Sequence, residues 1–125
     1  MHQVSTPRAP APAGHYSQGM AHAGLVFVAT QLPLVPGEPP DPTLHVRVQA
    51  ERALRNVLGV VEAAGGSART LLRVTIYLTD ITRWGEVNEV YASVLGEARP
   101  ARGVVQVAGL HHGMSVAIDA IAALI

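Results

Sequence analysis

The sequence predicts an α+β sandwich: a mixed sheet with two helices on one face, in the order β-β-α-β-α-β-β. Three observations predict it. Residues 46–61 and 84–95 repeat apolar side chains at spacings of three and four, the stripe of an amphipathic helix. Short runs rich in Val, Ile and Thr, bounded by glycine and proline, read as strands around them. Finally, the 125-residue chain is 49% hydrophobic and only 14% charged, against about a quarter charged in ordinary soluble proteins. A chain this short makes one domain and needs polar cover. The surplus apolar surface is therefore expected on the free face of the sheet, covered by another subunit or a ligand.

Residues 1–13 carry Pro7, Pro10 and Pro12. Proline fixes φ and donates no hydrogen bond, so this segment reads as a flexible, extended arm ahead of a single domain over 14–125. It lacks the apolar core of a signal peptide, and no run is long enough to span a bilayer; the expected location is cytoplasmic. Residues 18–31 read as a hairpin turning at Ala23-Gly24. The next eleven residues, LPLVPGEPPDP, hold five prolines and can be only loop or edge strand. Thr43 is the expected N-cap of the first helix, and Gly65-Gly66 its end. In 70–79 the alternation puts Leu72, Val74, Ile76 and Leu78 on one face, opposite Leu71, Arg73, Thr75 and Tyr77. Trp84, Val87, Tyr91, Val94 and Leu95 form the core stripe of the second helix, and Pro100 blocks its continuation. Strands over 101–107 and 114–124 finish the chain.

Composition excludes several chemistries. All nine basic residues are arginine, balancing nine acids. Without lysine there is no Schiff-base or P-loop lysine. Without cysteine there is no thiolate nucleophile, iron–sulfur cluster or cysteine zinc site. A net charge of zero shows no nucleic-acid footprint. His111-His112 reads as loop surface rather than a metal site, since no third ligand stands at useful spacing. His15, His22 and His45 also read as loop or surface residues.

One pair of charges stands out. Residues 100–125 contain only Arg102 and Asp119, and residues 9–37 contain no charge at all. The terminal strands and the hairpin are therefore expected to be buried. An arginine held there needs a partner, because an unpaired buried charge costs several kcal/mol. Asp119, backbone carbonyls and a ligand carboxylate are the three candidates. Physics alone favours the Arg102–Asp119 ion pair. The guanidinium fork also suits a carboxylate ligand, which it binds through two parallel hydrogen bonds.

The segments GHYSQGM, VATQLPL, VLGVVEAAGGS, VTIYLTDI, VNEVYASVLGEARPARGVVQVAGL and VAIDAIA resemble the RidA/YjgF family. These are the reactive-intermediate (enamine/imine) deaminases, also called L-PSP endoribonucleases or translation inhibitors. The resemblance runs from about residue 14 to the C-terminus, and PAR-x-x-V-x-V-A-x-L is its most specific string. It implies a chorismate-mutase-like fold and a homotrimer with its sheets facing inward and clefts between subunits. It also implies hydrolysis of small 2-imino acids to 2-keto acids and ammonia without metal or organic cofactor.

By the same resemblance, Arg102 is the arginine that grips the substrate carboxylate, and Tyr16 lies at the same cleft. Asn88 and Gln31 match the family asparagine and glutamine. Thr30 stands where the family has glycine. Gly103 replaces a small polar residue and is expected to open the pocket floor. The last strand departs most: the glutamate thought to hold the attacking water is Ala117 here, which accepts no proton. Asp119, two residues on and on the same strand face, lies about 6.5–7 Å away. It can substitute only with a shifted water or substrate. The expectation is weak or absent deaminase activity with retained carboxylate binding. The alternatives are a non-catalytic metabolite-binding trimer, a paralogue with another hydrolytic substrate and, least favoured, an endoribonuclease.

Overall fold

The computed structural model describes residues 1–125. The strands are β1 (His2–Val4), β2 (Gly19–His22), β3 (Leu25–Gln31), β4 (Leu71–Leu78), β5 (Ala101–Gln106) and β6 (Val116–Ala123). The helices are α1 (Val46–Ala63) and α2 (Trp84–Leu95). Single turns of 3-10 helix lie at Ala68–Thr70, Ile81–Arg83 and His111–Gly113. The sheet order is β1-β2-β3-β6-β4-β5. All neighbours pair antiparallel except β4 and β5. A parallel pair needs a crossover, which α2 supplies. The expected α+β architecture is therefore present, with one strand more than the sequence suggested.

That extra strand corrects the view of residues 1–13. β1 pairs with β2, and Val4, Thr6 and Ala9 are buried. The reason is Gln18, itself buried. Its carbonyl accepts from Thr6 N at 2.7 Å, and its amide donates to the carbonyls of Thr6, Ala9 and Pro10. One side chain thus satisfies the polar groups that the prolines leave without ladder partners.

The β2–β3 turn is as expected: Ala23 and Gly24 both have positive φ, 52° and 77°, the twist that a two-residue hairpin requires. Helix α1 is capped by His45, whose Nδ1 accepts from Arg47 N at 3.1 Å. Thr43, the expected cap, instead sits inside a turn closed by Asp41. Gly65 follows the helix at φ 103°. Asn56 on α1 donates to the carbonyls of Leu32 and Leu34, pinning the proline-rich loop.

The core lies between the helices and one face of the sheet. Leu54, Val57 and Val61 of α1 meet Val26, Val74, Ile76 and Ile118 of the sheet, all at 0–1% exposure. Each such side chain contributes about 1.5–3 kcal/mol. A register shift between Leu71 and Arg73 breaks the alternation of β4. Leu71 is buried and Leu72 is 48% exposed, so the expected face begins at Val74. Trp84, expected in the core, is 47% exposed because it opens α2 at the sheet's edge.

β5 corrects another expectation. It forms the sheet's edge and is largely uncovered, while β6 is buried between β3 and β4. On the face away from the helices, register aligns Phe27, Ile121 and Arg73, then Asp119, Thr75 and Gly103, then Ala117, Tyr77 and Val105. Phe27 and Val105 are each nearly half exposed. No helix is long and apolar enough to cross a membrane.

Candidate functional site

The expected site residues fall into two groups, on opposite faces of the sheet. Register decides this. Arg102 aligns with Val74 and Ala120, the helix-side row, whereas Asp119 aligns with Thr75 and Gly103 on the open side. The Arg102–Asp119 ion pair favoured by sequence does not form: no carboxylate lies within ion-pairing distance of Arg102.

Arg102 is held by α2. Its Nη1 donates to Asn88 Oδ1 at 2.7 Å. The guanidinium carbon stands 4.8 Å from the centre of the Tyr91 ring and 5.9 Å from that of Trp84. Aromatic faces attract a cation at these distances. They also fix the plane of the fork, while Asn88 takes one of its five donors. The remaining donors have no partner in the chain. Depressions on either side of Arg102 are lined by Asn88, Tyr91 and Arg99, and by Ile81, Trp84 and Val104. The Tyr91 hydroxyl is buried without a hydrogen-bond partner. Burial pushes its pKa up from 10.0, against the lowering effect of Arg102.

The second group surrounds a cavity of about 490 Å³ lined by Tyr16, Ala29, Thr30, Leu110, His111 and Ala117 among others. The N-terminal segment anchored by Gln18 supplies Ala13, Gly14 and Tyr16. The Tyr16 hydroxyl accepts from Ala13 N at 3.3 Å, and the ring is 55% exposed. Thr30 arrives through an irregularity in β3, where pairing with β6 shifts between Val28 and Gln31. Its hydroxyl donates to Asp119 Oδ2 at 3.1 Å. The Tyr77 hydroxyl donates to the same oxygen at 2.8 Å. That bond holds the Tyr77 pKa above 10.0; burial and the Asp119 charge add to the rise, and Arg73 opposes it. Ala117, buried, lies directly opposite Tyr77 in the ladder.

Gln31 borders a smaller pocket beside the second group, shared with Tyr16, Thr30 and His111, and Gly103 stands apart from both groups. Gln31 is buried, with its amide turned back to the Ala29 carbonyl at 3.1 Å. Gly103 is not among the residues lining the two depressions at Arg102. It leaves room for Arg73, whose Nη2 lies 3.0 Å from where a β-carbon would stand. The sequence reading missed Tyr77 as a polar partner of Asp119 and His111 as a cavity residue. The alternation that put Tyr77 opposite the apolar face of β4 was the available signal. No three metal-ligating side chains converge anywhere in the chain.

The site's geometry is thus a tethered cation on one side and, on the other, a mostly apolar cavity bordered by Tyr16 and Thr30. Residues 6–124 match the family model described as Endoribonuclease L-PSP. A RutC family protein of Pyrococcus horikoshii is 36% identical over 119 residues, covering 95% of this chain and 94% of its own. TdcF of Escherichia coli, provisionally named a reactive intermediate deaminase, is 37% identical over 124 residues, covering 95% and 94%. The crystal structure of TdcF with bound serine superposes with a TM-score of 0.91 at 36% identity, covering 98% of both chains. That of the E. coli YjgF gene product gives 0.91 at 33% identity, again covering 98% of both.

Proposed function

This chain belongs to the Endoribonuclease L-PSP family, the RidA/YjgF family that its sequence resembles, and from that premise we propose that it is a homotrimer binding small 2-imino and 2-keto acids in clefts between subunits. Arg102 of one subunit holds the ligand carboxylate. The Tyr16–Thr30–Ala117 cavity of the next subunit receives the rest of the molecule. Water there hydrolyses the C=N bond to a keto acid and ammonia, slowly, because Ala117 offers no proton acceptor.

The separation of the two groups is the observation that carries this reading. Arg102 on β5 and Thr30 on β3 are three strands apart, roughly 14 Å at the usual spacing, and on opposite faces. No small acid spans them within one chain. A second copy is the simplest source of the missing half. The exposed apolar face around Phe27 and Val105 suits that contact. Binding fixes the carboxylate and the imine carbon in one place, so that even without the glutamate, positioning contributes to the rate.

The test is a coupled assay in which an amino-acid oxidase or dehydratase generates the unstable imine. The expected result is keto-acid release a few-fold or more above the buffer rate, lost in Arg102→Ala. Release at the buffer rate, unchanged by Arg102→Ala, overturns the hydrolase reading. The absence of a base at Ala117 favours a second reading, a non-catalytic carboxylate-binding trimer. It predicts that 2-keto acids raise Tm while hydrolysis stays at the buffer rate. The ribonuclease reading lacks a basic groove in a chain of zero net charge. Cleavage of single-stranded RNA above a mock preparation would revive it.

A further inference from the structure

The chemistry that Ala117 cannot perform has an alternative carrier beside it. Thr30 lines the cavity, and its one hydroxyl proton is committed to Asp119 Oδ2. A threonine oxygen so engaged presents only lone pairs to the cavity. It can therefore accept a proton from the cavity, and it donates one back only as Asp119 returns a proton to it. Behind it, Asp119 is held in place by the Tyr77 hydroxyl and has no cationic partner within 4 Å. Tyr77 and Asp119 do not line the cavity themselves. They reach it only through Thr30.

Resting on the hydrolase reading above, we propose that Thr30, Asp119 and Tyr77 form a proton relay that takes over the work of the absent glutamate. Thr30 is the catalytic residue of the three; Asp119 and Tyr77 act through it. The substrate class is the protonated imine of a small 2-keto acid. Water bound to Thr30 Oγ1 adds its oxygen to the imine carbon, and the C=N π pair moves to nitrogen. The water proton passes to Thr30 Oγ1 as the threonine proton passes to Asp119 Oδ2. The product is the neutral carbinolamine. Return of the proton along the same path converts its amino group to a leaving ammonium. The C–N bond breaks to ammonia, the hydroxyl oxygen forms the ketone, and its proton goes to the released ammonia. The sum is iminium plus water giving keto acid plus ammonium, with no oxidant or metal required.

Tyr77 keeps the Asp119 carboxylate aimed at Thr30 rather than at the ladder. Its place opposite Ala117 matters here. The position without an acceptor and the residue that orients the substitute acceptor are neighbours across one strand pair.

The experiment is imine hydrolysis by Thr30→Val, Thr30→Ser, Asp119→Asn and Tyr77→Phe, with the Tm shift caused by 2-ketobutyrate measured on each. Thr30→Val keeps the shape without the hydroxyl and is expected to lower kcat about 100-fold, as is Asp119→Asn. Thr30→Ser keeps the hydroxyl and is expected to stay within a few-fold of the parent. Tyr77→Phe is expected to lower kcat about tenfold by loosening one charge-assisted bond. The keto-acid Tm shift persists in Asp119→Asn and Tyr77→Phe, which lie outside the cavity, because Arg102 carries the carboxylate. A parent protein that hydrolyses imine, with Thr30→Val and Asp119→Asn equally fast, overturns the relay and leaves the hydrolase reading standing. Equal losses in Thr30→Ser and Thr30→Val also overturn it. A parent protein at the buffer rate overturns both.

Discussion

The Arg102 group and the Thr30–Asp119 group solve opposite problems with similar means. One holds a cation with an amide oxygen and two aromatic faces. The other holds an anion with two hydroxyls. Neither uses an opposite charge. A full ion pair would spend the charge on its partner, whereas neutral hydrogen-bonding groups orient it and leave it able to meet a ligand. The price of that arrangement is a pair of half-sites that one chain cannot close.

The largest test of this comparison is Arg102→Ala. It is expected to abolish the Tm shift by 2-keto acids and, with it, any imine hydrolysis above buffer, while leaving the cavity half intact. Thermal shift with and without ligand checks this. A retained shift would place carboxylate recognition in the other half. Next, Phe27→Asp puts a charge on the open sheet face. Sedimentation is expected to show monomers, and both ligand binding and hydrolysis to disappear together, since each half then lacks its complement.

A third variant separates the halves by stability. Gln18→Ala strips the buried polar groups of Thr6, Ala9 and Pro10 of their partner. The expected cost is about 2–3 kcal/mol, read as a lowered denaturation midpoint. Hydrogen exchange should rise in residues 1–16 and leave Arg102 and α2 unchanged.

The smallest effect is the sharpest in sign. The pKa values of Tyr77 and Tyr91 are both raised from 10.0, chiefly by the hydrogen bond to Asp119 and by burial respectively. Asp119→Asn is expected to lower the Tyr77 titration midpoint. Arg102→Ala is expected to raise that of Tyr91, because it removes a cation that favours the phenolate. Spectrophotometric titration of the tyrosines reads both. Folded-state values above the unfolded 10.0 mean that these groups contribute stability that is fully present below pH 10.0. It is lost as pH rises through the elevated values. Stability should therefore fall less steeply above pH 10.0 in Asp119→Asn than in the parent protein, read from denaturation midpoints on either side of that pH.

Much of the fold was legible because hydrophobic period and turn residues are local signals. The 3.6-residue stripe of α1 and the Ala23-Gly24 turn needed no knowledge of the rest of the chain. That Arg102 and Asp119 lie on opposite faces of the sheet was not legible. Alternation gives parity within a strand, but register between β5, β4 and β6 is set by packing that no single segment encodes. The shift at Leu71–Arg73 misplaced Leu72 for the same reason. Residues 1–13 misled in another way: prolines spoke for an arm, and the side chain that tethers it, Gln18, carries no signal of burial. Within the site, Arg102 stands beside Asn88, while Tyr16, Thr30 and Ala117 gather around a separate cavity. Tyr77 was passed over because a tyrosine opposite an apolar strand face looks like ordinary surface.

The place of β6 has a consequence for how the chain is made. It is the last strand in sequence yet lies between β3 and β4. Until it leaves the ribosome, the sheet exists as a β1–β2–β3 ribbon and a separate β4–β5 pair, each with an open edge. The pairings that β6 makes are distant in sequence and therefore slow to form. The nascent chain spends its synthesis time with those edges exposed, a state prone to association with other chains. Closing the sheet is a single late event, and a stalled or shortened chain that lacks β6 should be a client for chaperones.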